Sequence, residues 1–245
     1  MLPLCFINLD KDAERRERVE RELARLQIEG QRLPAVWWKK LDAAAQQKLY
    51  SAELNQHQYY KPLVDGEKGC YASHIAAWRQ LLDSDAAAMV VLEDDVCLSD
   101  DFAQVVDAVA VMERDWDMVK LMGRATEKVL HAVSLTEKHQ LIQYRRVPSF
   151  TAGYVISRAG AEKLLRSRVP FGRPIDIDLR FWWENDLQVY GVLPAPVLLD
   201  DTSQDSSIAG RQPPANWTTR WRKLAMKWRL TRGNARHLRS QPPLR

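Results

Sequence analysis

The stretch that most constrains this chain is M-V-V-L-E-D-D-V-C-L, residues 89–98, where an apolar run breaks into three consecutive carboxylates and then resumes. Met89 to Leu92 is short and partly β-branched, which reads as a buried strand of an α/β sheet rather than a helix. The acids therefore emerge where a strand leaves the core. Residues two apart on a strand point the same way, so Glu93 and Asp95 are placed to converge on one hard divalent cation, with Asp94 turned toward a neighbouring loop. A cation held there suits a phosphate-bearing ligand, because it neutralises charge that builds up on a leaving diphosphate. Three acids that merely solvate a strand end produce the same letters, so the reading depends on what surrounds them.

The surroundings alternate strands with helices. Residues 2–8 read as a first buried strand, followed by a helix to about residue 28 that Asp10 or Asp12 caps and that carries Val19, Leu23 and Leu26 on its apolar stripe. A strand delivering Asn8 and Asp10 into a loop before a helix is the first half of a nucleotide-binding unit, and the missing glycine-rich fingerprint argues against a dinucleotide. Residues 33–38 read as a second strand, 41–50 as a short helix, and the polar stretch 51–65 as a loop shaping an entrance. In G-E-K-G-C-Y-A-S-H-I-A-A-W-R-Q-L-L, residues 66–82, helical spacing starts near Gly69. Two glycines would then stand at the helix mouth, where free N–H groups can face phosphate oxygens. Ser73, His74 and Trp78 lie on this helix, where ordinary packing competes with a role at the site. Ser99 or Asp100 caps a helix to about residue 112, and strands are expected over 117–122, 141–144, 151–156 and 188–193, with Ser157 capping a further helix.

A second acidic segment reads P-I-D-I-D-L-R-F-W-W from Pro174. Asp176 or Asp178 can accept the proton of a sugar hydroxyl while Trp182 and Trp183 offer flat apolar faces to the ring. Helix capping by Asp176 is the plainer alternative.

Charge divides the chain into a body, residues 1–210, and a tail, residues 211–245. From position 216 onward there are nine Arg and Lys and no acid, which leaves residues 1–215 at a net −5 and gives no support to a nucleic-acid surface on the body. In the tail Trp217, Trp221, Leu224, Ala225 and Trp228 share one helical face among Arg220, Arg222, Lys223, Lys227 and Arg229. That pattern suits an amphipathic helix resting on an anionic membrane surface. The three cysteines, Cys5, Cys70 and Cys97, stand beside apolar residues without a C-x-x-C pair, and nothing at the start resembles a signal peptide. The expectation is a reduced, cytoplasmic chain, peripheral on the inner face of the cytoplasmic membrane.

With these segments in order, the chain resembles glycosyltransferase family 25, which includes bacterial lipooligosaccharide galactosyltransferases and collagen galactosyltransferases. The resemblance covers roughly residues 4–200 and is carried by I-N-L-D with Arg15 and Arg16 downstream, G-E-K-G-C-Y-A-S-H, V-V-L-E-D-D-V, and G-Y-V-I-S-R-A-G-A-E-K-L-L. The short length resembles the bacterial members, which makes a lipopolysaccharide or lipooligosaccharide the expected acceptor.

The resemblance implies a GT-A-like α/β fold with a mostly parallel central sheet flanked by helices, a UDP-sugar donor, usually UDP-galactose, and transfer with inversion to a glycan or glycolipid acceptor. It places Asn8, Asp10, Arg15, Ser73, His74 and Asp94 at the donor. The segment from Glu93 to Asp95 stands for the family's Asp-x-Asp motif, with Glu93 and Asp95 on Mn2+ or Mg2+, and Asp176 or Asp178 supplies the base. The competing reading from another class is a non-catalytic adaptor that keeps the fold and docks through its basic tail.

Overall fold

Leu4–Asn8 forms β1, every residue of it buried. The helix α1 (Ala13–Arg25) comes next, buried through Val19 and Leu23. Asp12 occupies its N-cap position without a side-chain capping bond, so the expected cap is positional only. The strands β2 (Gln31–Pro34) and β3 (Ala88–Glu93) flank β1 in parallel, and Ile7 lies opposite Glu93. That register carries the polar end of β1 to the level of the acids. The computed structural model describes residues 1–124, 126–199, 217–239, 241 and 244. The expected polar loop at 200–210, and with it the boundary between body and tail, lies outside the described residues.

Beyond β3 the sheet changes direction. β5 (Met118–Lys120), β6 (Val129–Ser134), β7 (Gln140–Tyr144), β8 (Gly153–Ser157) and β9 (Val189–Leu193) complete an eight-stranded sheet of order β2-β1-β3-β8-β5-β9-β7-β6. β8 runs antiparallel to both β3 and β5 while β5 and β9 are parallel, so the sheet is mixed. Alternate residues of β3 serve different cores: Met89 and Val91 join one apolar cluster, Val90 and Leu92 the other. With period-two geometry the two clusters lie on opposite faces, giving a helix–sheet–helix arrangement. Immediately after the acids, β4 (Val96–Leu98) pairs antiparallel with β10 (Val197–Leu199) in a small second sheet. Strands of three residues carry too few alternations to be read from sequence.

The helix before β3, α4 (Asp65–Leu82), starts four residues earlier than its apolar spacing suggests. Glu67 accepts the Val64 N–H at 2.9 Å, a carboxylate fastening that extends the first turn. Gly66 and Gly69 therefore lie within the helix. At Gly69 the absent side chain matters, because a Cβ there would stand 2.6 Å from the Val36 carbonyl oxygen. Gly69→Ala is expected to cost about 1–3 kcal/mol by forcing helix and segment apart, measurable as a lower urea midpoint. The stretch expected to be loop contains a further helix, α3 (Ala52–Gln58), after α2 (Ala43–Leu49). Ser51 caps α3 by accepting the Leu54 N–H, but its single buried residue is Asn55, so no apolar period announces it.

α5 (Phe102–Ala110) has Asp101, not Ser99 or Asp100, at its N-cap, and α6 (Arg158–Arg168) is capped by Ser157 as expected. The four-residue α7 (Ile175–Asp178) continues into a 3-10 turn, Leu179–Glu184. α8 (Trp217–Leu238) returns to the body and buries Met226, Leu230 and Asn234 against it. No helix among the described residues is long and apolar enough to cross a membrane.

Candidate active site

A cleft of about 470 Å³ opens at the carboxyl ends of β1 and β3. Its floor is Glu93, Asp94 and Asp95; one wall is α4 with Gly69, Cys70, Ser73 and His74; the other is the start of α1 and the segment from Ala35 to Lys39. The end of a strand beside a crossover is where open α/β sheets bind ligands, because the diverging loops leave a crevice there.

The three acids do different things. Glu93, the last residue of β3, accepts the Thr151 hydroxyl at 2.6 Å and lies 3.3 Å from His74 Nε2. Burial raises its carboxyl, but the bonds from His74 and Thr151 with the charge of Lys120 outweigh that, and the net shift is downward. His74 Nδ1 meets the Tyr154 hydroxyl at 2.8 Å, and that hydroxyl accepts from Trp78 Nε1 at 3.0 Å. One proton order satisfies the chain: Trp78 donates to Tyr154, Tyr154 to His74, and His74 Nε2–H to Glu93.

Asp94 accepts Asn8 Nδ2 at 2.8 Å and pairs with Arg15 Nη1 at 3.3 Å. Asp95 has no such support: its Oδ1 is buried without a hydrogen-bond partner. Burial, joined by the adjacent charges of Glu93 and Asp94, lifts its carboxyl to about 6.

Two expected site residues, Asn8 and Asp10, are not among the cleft's lining residues, and Ser73 braces the site as well as lining it. Asn8 is buried and braces Asp94, with its own Oδ1 accepting Arg32 Nε at 3.0 Å. Asp10 is exposed and paired with Arg32. The Ser73 hydroxyl donates to the Gly69 carbonyl and accepts the Val36 N–H, tying α4 to the opposite wall. Arg15 and His74 do line the cleft.

Asp176 and Asp178 part company. Asp178 is sealed inside α7, bonded by Tyr71 at 2.7 Å and ion-paired with Arg173 at 2.9 Å and Arg168 at 3.4 Å. Asp176 carries no ion pair at that range among the described residues; burial lifts its carboxyl to about 6, opposed by the Ile177 N–H and the charge of Lys120 and reinforced by Glu93 and Glu67. Its field reaches the acid cluster.

Trp182 and Trp183 are not among the cleft's lining residues. Trp182 Nε1 donates to Asn234 at 3.1 Å, and Trp183 stacks on His237 with an interplanar angle of 4°. Both are the seat of α8. A Cβ on Gly233 would stand 2.3 Å from the Trp183 ring, so that seat is close-fitted.

Four residues of the site were absent from the sequence reading. Trp37 is 40% exposed in the cleft, with Lys11 Nζ 5.1 Å and Lys40 Nζ 5.8 Å from its ring. Lys120, buried at the end of β5, bonds the Pro148 and Phe150 carbonyls, and burial lowers its ammonium to about 8. Thr151 and Tyr154 arrive on β8 and its approach.

The ligand atoms gathered most tightly among the described residues belong to Cys70, His74 and Glu93, all within 4.8 Å of one another. Burial, and then the charges of Glu93, Asp176 and Asp95, hold the Cys70 thiol well above its ordinary range, so it stays protonated. Cys5 is a buried free thiol and Cys70 a half-buried one.

Comparison with known proteins decides the family. The model described as "Glycosyltransferase family 25 (LPS biosynthesis protein)" matches residues 1–179. The chain belongs to glycosyltransferase family 25. The family 25 region contains the whole cleft, the acid triplet and both Asp176 and Asp178. Human procollagen galactosyltransferase 2 is 29% identical over 182 residues, 71% of this chain and 29% of that protein. Zebrafish procollagen galactosyltransferase 1 is 30% identical over 180 residues, 71% of this chain and 30% of its own length. A cattle relative named probable inactive glycosyltransferase 25 family member 3 is 28% identical over 210 residues, 77% of this chain and 35% of that protein. The chain thus matches under two fifths of these relatives' lengths.

Proposed function

We propose that this family 25 chain is an inverting GT-A-like glycosyltransferase that moves galactose from UDP-galactose onto a saccharide hydroxyl of a lipopolysaccharide or related glycan. The observation that carries it is the set of groups that share one cleft: an exposed tryptophan with Lys11 5.1 Å from its ring, Lys39, Arg15 beside the acids at Asp94, and Glu93 and Asp95. A flat ring takes a base, cations take a diphosphate, and carboxylates would hold a divalent ion that offsets its charge. Galactose is favoured by the names of the procollagen relatives, and the acceptor class by the family's description.

A divalent ion fits this donor set on a specific ground. Asp95 keeps a buried, unbonded carboxylate oxygen beside two further acids, an arrangement that is costly until a cation joins it. Glu93 and Asp95 would hold Mn2+ or Mg2+, which when bound offsets charge on the leaving diphosphate. Asp94, braced by Asn8 and Arg15, fixes the turn that carries Asp95. Asp176 serves as the base that draws the proton from the acceptor hydroxyl, with Lys120 holding its charge.

Purified protein offered radiolabelled UDP-galactose, UDP-glucose and UDP-N-acetylglucosamine with glycolipid acceptor, with and without Mn2+, tests the reading. Galactose incorporation that needs the metal supports it; neither transfer nor donor hydrolysis with any sugar favours the adaptor reading instead. Trp37→Ala is expected to raise KM for the donor about 10-fold, the value of one stacked base, with kcat little changed. An unchanged KM would remove Trp37 from the donor site.

A further inference from the structure

The body and α8 meet along one side of that helix only. Met226, Leu230 and Asn234 are buried, Trp182 and Trp183 close the seat, and Arg146 Nη2 donates to Thr231 Oγ1 at 3.1 Å. Two helix cations also turn inward: Arg222 donates to the Gln56 and Tyr59 carbonyls, and Arg229 to the His57 carbonyl. Lys223 sits 5.2 Å over the Tyr60 ring. Arg222 and Lys223, expected from the sequence to meet lipid, are therefore engaged with the body.

The opposite side has nothing packed against it from the described chain. Trp217, Trp221, Leu224 and Trp228 are 70%, 56%, 56% and 60% exposed. Their spacing of four, three and four residues puts them on one stripe along α8. At 100° per residue, Arg220 and Lys227 flank that stripe on one side and Arg232 on the other, with Arg232 also 5.0 Å over the Trp228 ring. The helix carries no acid in its 22 residues. An apolar stripe of large side chains set among cations complements a surface that is anionic outside and apolar beneath. Tryptophan suits that depth because its ring is apolar and its N–H remains hydrogen-bonded to headgroups.

We infer that the outer face of α8, comprising Trp217, Trp221, Leu224 and Trp228 with Arg220, Lys227 and Arg232, is a docking surface for an anionic lipid bilayer. The inference is independent of the transferase reading, since lipid binding is measured without turnover. The inner face already belongs to the fold, so α8 docks as a preformed element and no ordering of a free tail is required.

Deletion of α8 would uncover Trp182 and confuse unfolding with lost binding; point variants avoid this. The full chain is mixed with sucrose-loaded vesicles of phosphatidylglycerol and phosphatidylcholine, or of phosphatidylcholine alone, and sedimented. Strong partition to the anionic vesicles, weakened by salt, is expected, with a blue shift of tryptophan emission. Trp221→Ser with Trp228→Ser should lower partition at least about 10-fold and remove most of the shift. Arg220→Gln, Lys227→Gln and Arg232→Gln together should lower it and flatten the salt dependence. All variants should keep the wild-type unfolding midpoint. No partition to anionic vesicles overturns the inference, as does partition that the Trp variant leaves unchanged. Self-association of the wild type without vesicle binding, abolished by the Trp variant, would assign the stripe to a second copy of the chain and overturn it too.

Discussion

Asp95→Asn is expected to lower turnover at least about 100-fold while leaving the protein as stable as before, or more so. The two effects have one cause. In the free protein the Asp95 carboxylate is buried beside Glu93 and Asp94 with an unbonded oxygen, and its carboxyl is lifted to about 6. A carboxyl raised on folding contributes stability that is complete below its ordinary value and lost as pH rises through about 6. At neutral pH the charge therefore works against the fold, and an isosteric amide removes it. Bound Mn2+ reverses the sign for the wild type. Added Mn2+ should raise the wild-type thermal midpoint and leave that of Asp95→Asn nearly unmoved, a readout that needs no substrate. Near-native transfer by the variant would remove Asp95 from the metal site.

The position of the acid triplet was legible because its signal is local, a four-residue apolar run meeting three charges; the direction of each carboxylate was not, because β3 ends at Glu93 and a bend carries Asp94 and Asp95, so strand alternation does not reach them. Position was likewise legible for β1, for the Ser157 cap and for the buried face of α5, Phe102, Val105, Val106 and Val109, where the spacing alone places the residues. Legibility fails where the deciding contact is distant in sequence. Asn8 could be placed near the acids, but its rotation toward Asp94, 86 residues on, is a tertiary fact. Tyr154 and Thr151 reach the site only because β8 pairs antiparallel with β3, and nothing in either segment announces that pairing. Lys120 left one trace, a lysine closing an apolar strand, yet the carbonyls that satisfy it lie 28 and 30 residues away.

Trp182 and Trp183 show the opposite error. Proximity in sequence to Asp176 and Asp178 suggested a shared surface, but the 3-10 turn after α7 carries the rings to a different one. They are covered by Asn234 and His237, more than 50 residues later. The start of α4 was misplaced for an energetic reason. Apolar periodicity marks where a helix packs, while a carboxylate on its first N–H groups decides where it begins, and Glu67 supplied the second signal.

Asp176→Asn and Asp178→Asn are expected to fail in different ways, and the contrast tests the base assignment. Asp178 neutralises Arg173 and Arg168 inside the fold and accepts the Tyr71 hydroxyl, so an amide there leaves buried guanidinium charge short of a partner. Breaking a buried pair costs roughly 3–5 kcal/mol, which should appear as a large drop in the urea midpoint, with activity tracking the folded fraction. Glu184 accepts from both arginines and keeps part of the compensation, which places the loss toward the lower end of that range. Asp176 has no such duty. Its amide should fold normally and turn over at least about 100-fold more slowly, because the acceptor hydroxyl loses the group that takes its proton. The pH profile separates the roles further. A base must be ionised, so wild-type turnover at saturating metal should fall as pH drops through about 6, and Asp176→Asn should lose that limb along with most of the rate. A stable Asp178→Asn that is inactive, beside an Asp176→Asn that keeps both rate and limb, would exchange the two assignments. Burial argues against that exchange: Asp178 is 1% exposed and held by the charges of Arg173 and Arg168, whereas Asp176 is only partly buried.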